Sequence, residues 1–114
     1  MVIQLSELTH HALEHARTSD RGRFAELIVH DGELRQSIVA LTATSILPEH
    51  NSPPAASIQV LSGRIRIELQ GELQQELTEG DLWTLTHQRH EVRAMTDAVF
   101  LLTTVTGVER DSYG

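Results

Sequence analysis

Seven histidines and no cysteine set the chemistry open to this chain. Three of the histidines stand in two segments separated by about one β-hairpin. The first, Leu47-Pro48-Glu49-His50-Asn51-Ser52, runs on to Gln59-Val60-Leu61-Ser62-Gly63. The second, Glu79-Gly80-Asp81-Leu82-Trp83, runs on to His87-Gln88-Arg89-His90-Glu91-Val92. Neutral imidazole coordinates divalent transition metals and also moves protons near neutral pH. Without thiolates, any metal must be held by imidazole, carboxylate or water, and disulfides and thiolate catalysis are excluded. Two imidazoles alone seldom hold a divalent ion, because such sites take three or four protein ligands. His87 lies three residues before His90 in a turn and is a third candidate. Glu49 and Glu91 adjoin the two histidines, but neighbours in a strand face opposite sides.

Other residues invite a weaker chemical reading. His11 and His15 stand four apart on an expected helix, with His10 beside them, and such a pair can bind zinc. No third ligand accompanies them, so they are read as a helix surface, and His30 as a solvated strand histidine. Trp83, the sole tryptophan, suits ligand stacking or, more commonly, core or subunit packing. Arg64, Arg66 and Glu68 share one strand face, read as solvated or as an interface. No phosphate-cradling glycine loop, nucleophile elbow or carboxylate pair occurs, so the histidines are the candidates for proton transfer.

The elements that must position these groups follow from periodicity. Leu5, Leu8, Ala12 and Ala16 recur at helical spacing, with Ser6 as the expected N-cap and Glu7 at the positive helix end. This places a short N-terminal helix in residues 1–20, ended by the polar cluster Thr18-Ser19-Asp20-Arg21-Gly22. From Phe24 the period becomes two. Asp31-Gly32, Gln70-Gly71 and Gly80-Asp81 signal turns, and Pro53-Pro54 marks a loop. Residues 34–47 read as one long or broken strand, and Ile65, Ile67 and Leu69 alternate with Arg64, Arg66 and Glu68. At least eight short strands over residues 24–108 give an all-β antiparallel sandwich or barrel.

A chain of 114 residues forms one domain, 1–114, with one core. Nine Lys+Arg against 16 Asp+Glu give a net charge of −7, and every non-histidine base is arginine. That balance argues against nucleic-acid and anionic-membrane partners. No apolar run is long enough to span a membrane, and no signal-peptide pattern opens the chain, so a cytoplasmic location is expected.

The two histidine segments resemble the paired motifs of the cupin superfamily. With Gly63 as the closing glycine of the first motif, His50 falls on its first histidine, Ser52 on its second and Ala56 on its glutamate. Gly80 opens the second motif, His90 is its histidine, and Thr86 stands at its proline. The turn is one residue short, and Arg89-His90 resembles a branch of small single-domain cupins. The resemblance implies a cupin-type double-stranded β-helix, a jelly roll, carrying a degenerate form of a three-histidine, one-carboxylate metal site. It also implies a homodimer.

Two functions follow as expectations. One is a non-enzymatic domain that binds a small molecule in the barrel, in a pocket lined by His50, Ser52, Ile58, Val60 and His90. The other is a metal-dependent enzyme of oxygenase or isomerase type, in which His50 and His90, with His87 or water, hold zinc, nickel, iron or manganese. The motif alignment further implies that His50 and His90 lie on facing strands with both rings directed into the barrel, and that Ser52, Ala56, Ile58 and Val60 share the inward parity of His50.

Overall fold

The computed structural model describes residues 2–48, 55–85 and 88–105. Helix α1 (Leu5–Arg17) precedes nine strands: β1 (Arg23–Asp31), β2 (Leu34–Leu41), β3 (Ile46–Leu47), β4 (Ala55–Ser62), β5 (Arg64–Leu69), β6 (Glu72–Thr78), β7 (Leu82–Leu85), β8 (Glu91–Ala94) and β9 (Ala98–Val105). They form two antiparallel sheets, ordered β1-β2-β9-β4-β7 and β3-β8-β5-β6. The pairs β5–β6, β4–β7, β3–β8 and β2–β9 nest one outside another. A long hairpin rolled up on itself gives this pattern, which is the jelly roll.

Alternation fills the space between the sheets. Val39, Leu41, Ile58, Val60, Ile65, Ile67, Val92, Ala94, Ala98 and Phe100 form one buried cluster there. A second cluster lies on the outer face of the five-stranded sheet. There Ala12 and Ala16 of α1 meet Ile38, Ala40 and Val99, with Leu8, Leu13, Phe24 and Ile28 around them. Strands β2 and β9 are therefore covered on both faces at one end, the C-terminal half of β2 and the start of β9. Ile38-Val39-Ala40-Leu41 and Ala98-Val99-Phe100 are continuous apolar runs for that reason. Alanines on the helix let it lie close against the sheet.

The helix starts at Leu5, with Gln4 as an N-cap that makes no side-chain bond. Ser6, the expected cap, lies inside the first turn, where Leu8 N–H donates to Gln4 O at 3.2 Å. Packing of Leu8 against the sheet outweighs the local preference for a serine cap, which is worth only about 1 kcal/mol. At the other end of α1, Arg17 Nη2 reaches Asp97 Oδ2 at 3.0 Å, and Ala43 N–H donates to Asp97 Oδ1 at 2.9 Å. Asp97 thus ties the helix to the β8–β9 turn and to the segment that crosses from β2 to β3. The Ala43 hydrogen bond, then the Arg17 guanidinium, hold its carboxyl below the usual range.

Strand boundaries follow backbone demands. Gly63 has φ +81° at the β4–β5 junction, and a Cβ there would run into the Asp97 carbonyl oxygen. The two-residue loop Gln70-Gly71 has φ +53° and +82°, the left-handed pair of a type I′ hairpin turn. The segment 34–47 is broken where the chain changes sheets, at Thr44 with φ +71°.

The arginine face of β5 departs from a simple solvated surface. Glu68 is only 6 % exposed and lies 3.5 Å from both Arg66 Nε and Arg93 Nε. Register on β8 sets Arg66 across from Arg93 and Glu68 across from Glu91. The long arginine stems cover the shorter carboxylate, a shielding that strand alternation alone does not reveal.

Candidate functional site at the barrel mouth

Burial of the inner face falls off toward one end of the barrel. On β9, Ala98 and Phe100 are buried, while Leu102 and Thr104 are half-exposed. On β2, Leu41 and Val39 are buried, while Ser37 and Arg35 are half-exposed. On β8 Ala94 and Val92 are buried, and His90, just before the strand, is half-exposed. Among the described residues, one end of the barrel is therefore sealed and the other forms a mouth.

Directly opposed residues of an antiparallel pair share a face, so the register defines the mouth wall. Its outer row is His30, Arg35, Thr104, Ala56 and Leu85, across β1, β2, β9, β4 and β7. The row below is Ser37, Leu102, Ile58 and Trp83. Leu47, Trp83, Leu85 and Leu102 pack on the core while remaining half-exposed. They form an apolar collar with hydroxyl, guanidinium and imidazole groups at its rim.

His90 stands edge-on to Trp83, with ring centroids 5.8 Å apart and planes at 89°. Its Nδ1 lies 2.9 Å from Gln88 O. A carbonyl only accepts, so Nδ1 carries the proton, and in the neutral ring the lone pair is on Nε2. This is the tautomer usual for an imidazole that acts through Nε2.

Ala56, Ile58 and Val60 share the inner face, as their alternation requires. Ile58 and Val60 are each 1 % exposed and form the floor beneath the mouth. His50, Ser52 and His87 lie outside the described residues, so the facing of His50 and His90 does too. His11 and His15 sit far along the chain on α1, both exposed, with rings 4.4 Å apart and His15 stacked on Phe24 at 4.9 Å. His30 is exposed on β1.

Arg35, Ser37, Thr104, Leu85 and Leu102 join the site through the structure alone. Alternation within β9 marks Leu102 and Thr104 as companions of Phe100. Nothing local marks Arg35, because β2 is apolar on both faces farther along.

No protein-family model matches the sequence, and no curated protein matches it. Solved structures do match. A cupin superfamily protein from Desulfitobacterium hafniense superposes with a TM-score of 0.67 at 13% identity, over 74% of this chain and 77% of its own. An RmlC-like cupin from Desulfovibrio desulfuricans gives 0.65 at 24% identity, over 73% and 81%. The chain has the cupin fold. Salicylate 1,2-dioxygenase from Pseudaminobacter salicylatoxidans gives 0.72 at 18% identity over 87% of this chain, which spans 33% of that enzyme's length. Identities this low carry the cupin architecture and no activity.

The donor set decides what this cupin barrel can hold. Among the described residues no three His, Asp or Glu side chains come together to hold a metal ion. At the carboxylate position Ala56 presents a methyl group, and the described imidazoles at this end are His90 and, opposite Arg35 on the edge strand β1, the exposed His30. The described residues do not fit a divalent metal by themselves.

Proposed function

We propose that this cupin binds a small organic molecule at the barrel mouth. The observation that carries the reading is the falling burial along the inner faces of β2, β8 and β9, which opens an apolar collar edged by polar groups. Such a concavity, mostly apolar with a few convergent polar groups, is the usual form of a ligand site. Trp83 and His90 supply two ring edges, and Thr104 and Ser37 supply hydroxyls. A fragment screen followed by 15N chemical shifts tests the reading. Shifts should gather at Ser37, Leu47, Ala56, Trp83, His90 and Thr104. Fragments that gather instead in the cleft between the start of α1 and β1 would remove the mouth as the site.

The metal-dependent enzyme is the second reading, and the His90 tautomer favours it, because Nε2 is the atom that would coordinate. It needs donors beyond the described residues. Elemental analysis of untagged protein separates the two: a stoichiometric transition metal supports the enzyme.

We further propose a homodimer. The outer face of the five-stranded sheet beyond α1 shows Leu34, Leu82, Leu101, Thr103, Ser57 and Gln59, and among the described residues of β4, β7 and β9 no ionisable side chain faces this way. Leu82 is 67 % exposed there. Two copies, each of net charge −7, meet with least repulsion and least charge desolvation on such a face. A cysteine-free chain is suited to a reducing compartment, which supports a cytoplasmic location; no described helix is long and apolar enough to cross a membrane.

A further inference from the structure

We infer that the seam between α1 and β1 takes a zinc ion, with His11 and His15 of the helix and Glu26 of the strand as its ligands. The seam lies on the outer face of the five-stranded sheet, so the inference is independent of the reading proposed for the mouth.

Sheet register and helix spacing bring the three side chains to one place. Phe24 lies opposite Ala40 and Glu26 opposite Ile38, and Ala40 and Ile38 belong to the buried cluster beneath α1. Phe24 and Glu26 therefore share the face that meets the helix, about 7 Å apart along the strand. His15 stacks on Phe24, with ring centroids 4.9 Å apart. Nearer the start of α1, Glu7, Leu8 and His11 line one cleft with Glu26 and Ile28. The helix thus runs antiparallel to β1, and His11 comes level with Glu26.

His11 and His15 stand one helical turn apart, with ring centroids 4.4 Å from each other. Two imidazoles on one zinc ion, each at about 2.0–2.1 Å, have centroids roughly 4.5–5 Å apart. The pair therefore needs a small opening and a turn of the exposed His11 ring, while the Phe24 stack holds His15 in place. As placed, no three described donors converge on one point. Glu26 completes the set by turning an exposed side chain, a rotamer change on the nanosecond scale. Two imidazoles and one carboxylate leave the fourth tetrahedral position of zinc to water. The surroundings favour a cation. Glu7 lines the same cleft, and the chain carries a net charge of −7. The arginines beside the seam are turned elsewhere, Arg17 to the Asp97 carboxylate and Arg23 to the Ile46 carbonyl. Among the described residues no ion pair engages His11, His15 or Glu26, whereas His10 is turned to Glu14 at 3.4 Å.

The test is a calorimetric titration of zinc into the untagged full chain and into His11→Ala, His15→Ala and Glu26→Gln, with His10→Ala and His90→Ala as controls. Circular dichroism confirms that each variant is folded. Because the ion ties the helix to the sheet, zinc at ten times its Kd should raise the Tm of the parent by about 5 °C or more. His11→Ala and His15→Ala should each weaken binding by more than about tenfold, and Glu26→Gln by about tenfold, since even groups one shell away from a metal are worth that much. His10→Ala and His90→Ala should bind as the parent does. A parent that takes up no zinc at millimolar concentration would overturn the inference. Binding lost in His90→Ala and kept in His11→Ala would overturn it too and move the metal to the mouth. Unchanged affinity in Glu26→Gln would overturn the bridge from helix to strand.

Discussion

A glutamate in place of Ala56 measures how dry the inner face is at the rim. Ala56 is 8 % exposed and lies between Thr104 on β9 and Leu85 on β7. A carboxyl there loses much of its hydration, which disfavours the charged form and raises its pKa. The position is at the rim and not in the deep core, so a rise of roughly one to two units is reasonable. At about 1.4 kcal/mol per unit, Ala56→Glu should cost roughly 1.5–3 kcal/mol at pH 7. The folded variant then holds a proton that the unfolded chain releases above about pH 4.3. Its stability relative to the parent must therefore fall as pH rises from 4 to 7. In a domain of this size the loss is about 4–8 °C in Tm per kcal/mol. Urea and thermal unfolding of the parent, Ala56→Glu and Gln75→Glu at pH 4 and pH 7 give the answer. Gln75 is exposed on β6 of the other sheet, away from the proposed dimer face, so its substitution should stay within about 0.5 kcal/mol of the parent. If Ala56→Glu matched Gln75→Glu at both pH values, the inward placement of Ala56 would be refuted. Adding Ser52→His should convert the cost into nickel or zinc affinity, with about 2.7 kcal/mol returned at a metal concentration 100 times Kd.

Three further outcomes are expected. Asp97→Ala, which removes the acceptor for Ala43 N–H and Arg17, should cost about 1–2 kcal/mol at pH 7 after allowance for solvent screening. Because the folded carboxyl is held below its unfolded pKa, that stability is present above about pH 4 and fades as pH falls through the folded value, so urea midpoints of parent and variant should converge in acid. Gly63→Ala should lose more than about 3 kcal/mol or fail to fold, since φ is +81° and the new methyl meets the Asp97 carbonyl; a cooperative thermal transition near the parent's would contradict this. Leu82→Arg should convert the dimer to a folded monomer by light scattering, whereas Leu73→Arg, exposed on β6 of the other sheet, should leave it unchanged; a monomeric parent at high micromolar concentration would remove the dimer.

Local sequence determined a good deal of this molecule. Strict alternation in Arg64–Leu69, the turn residues Gln70-Gly71 and Gly80-Asp81, and the spacing of Leu8, Ala12 and Ala16 each depend only on neighbours in the chain, so the strands, hairpins and helix were legible there. The paired histidine segments around Gly63 and Gly80 pointed to the fold, because a close backbone approach at Gly63 and a φ of +90° at Gly80 each leave a fixed mark in the sequence. Tertiary structure decided what local pattern could not. The helix begins at Leu5 and not after Ser6 because Leu8 gains more by docking on the sheet than a serine cap supplies. Ile38-Val39-Ala40-Leu41 has no period of two because α1 covers one face of β2 and the opposite sheet covers the other. Glu68 is buried because Arg66 and Arg93, on different strands, fold over it. Arg35 and Thr104 are 69 residues apart in the chain and join one row only through the β2–β9 register. A strand's own residues fix which of its side chains share a face. Only pairing and closure fix which face becomes the core, which end stays open, and which charges meet there.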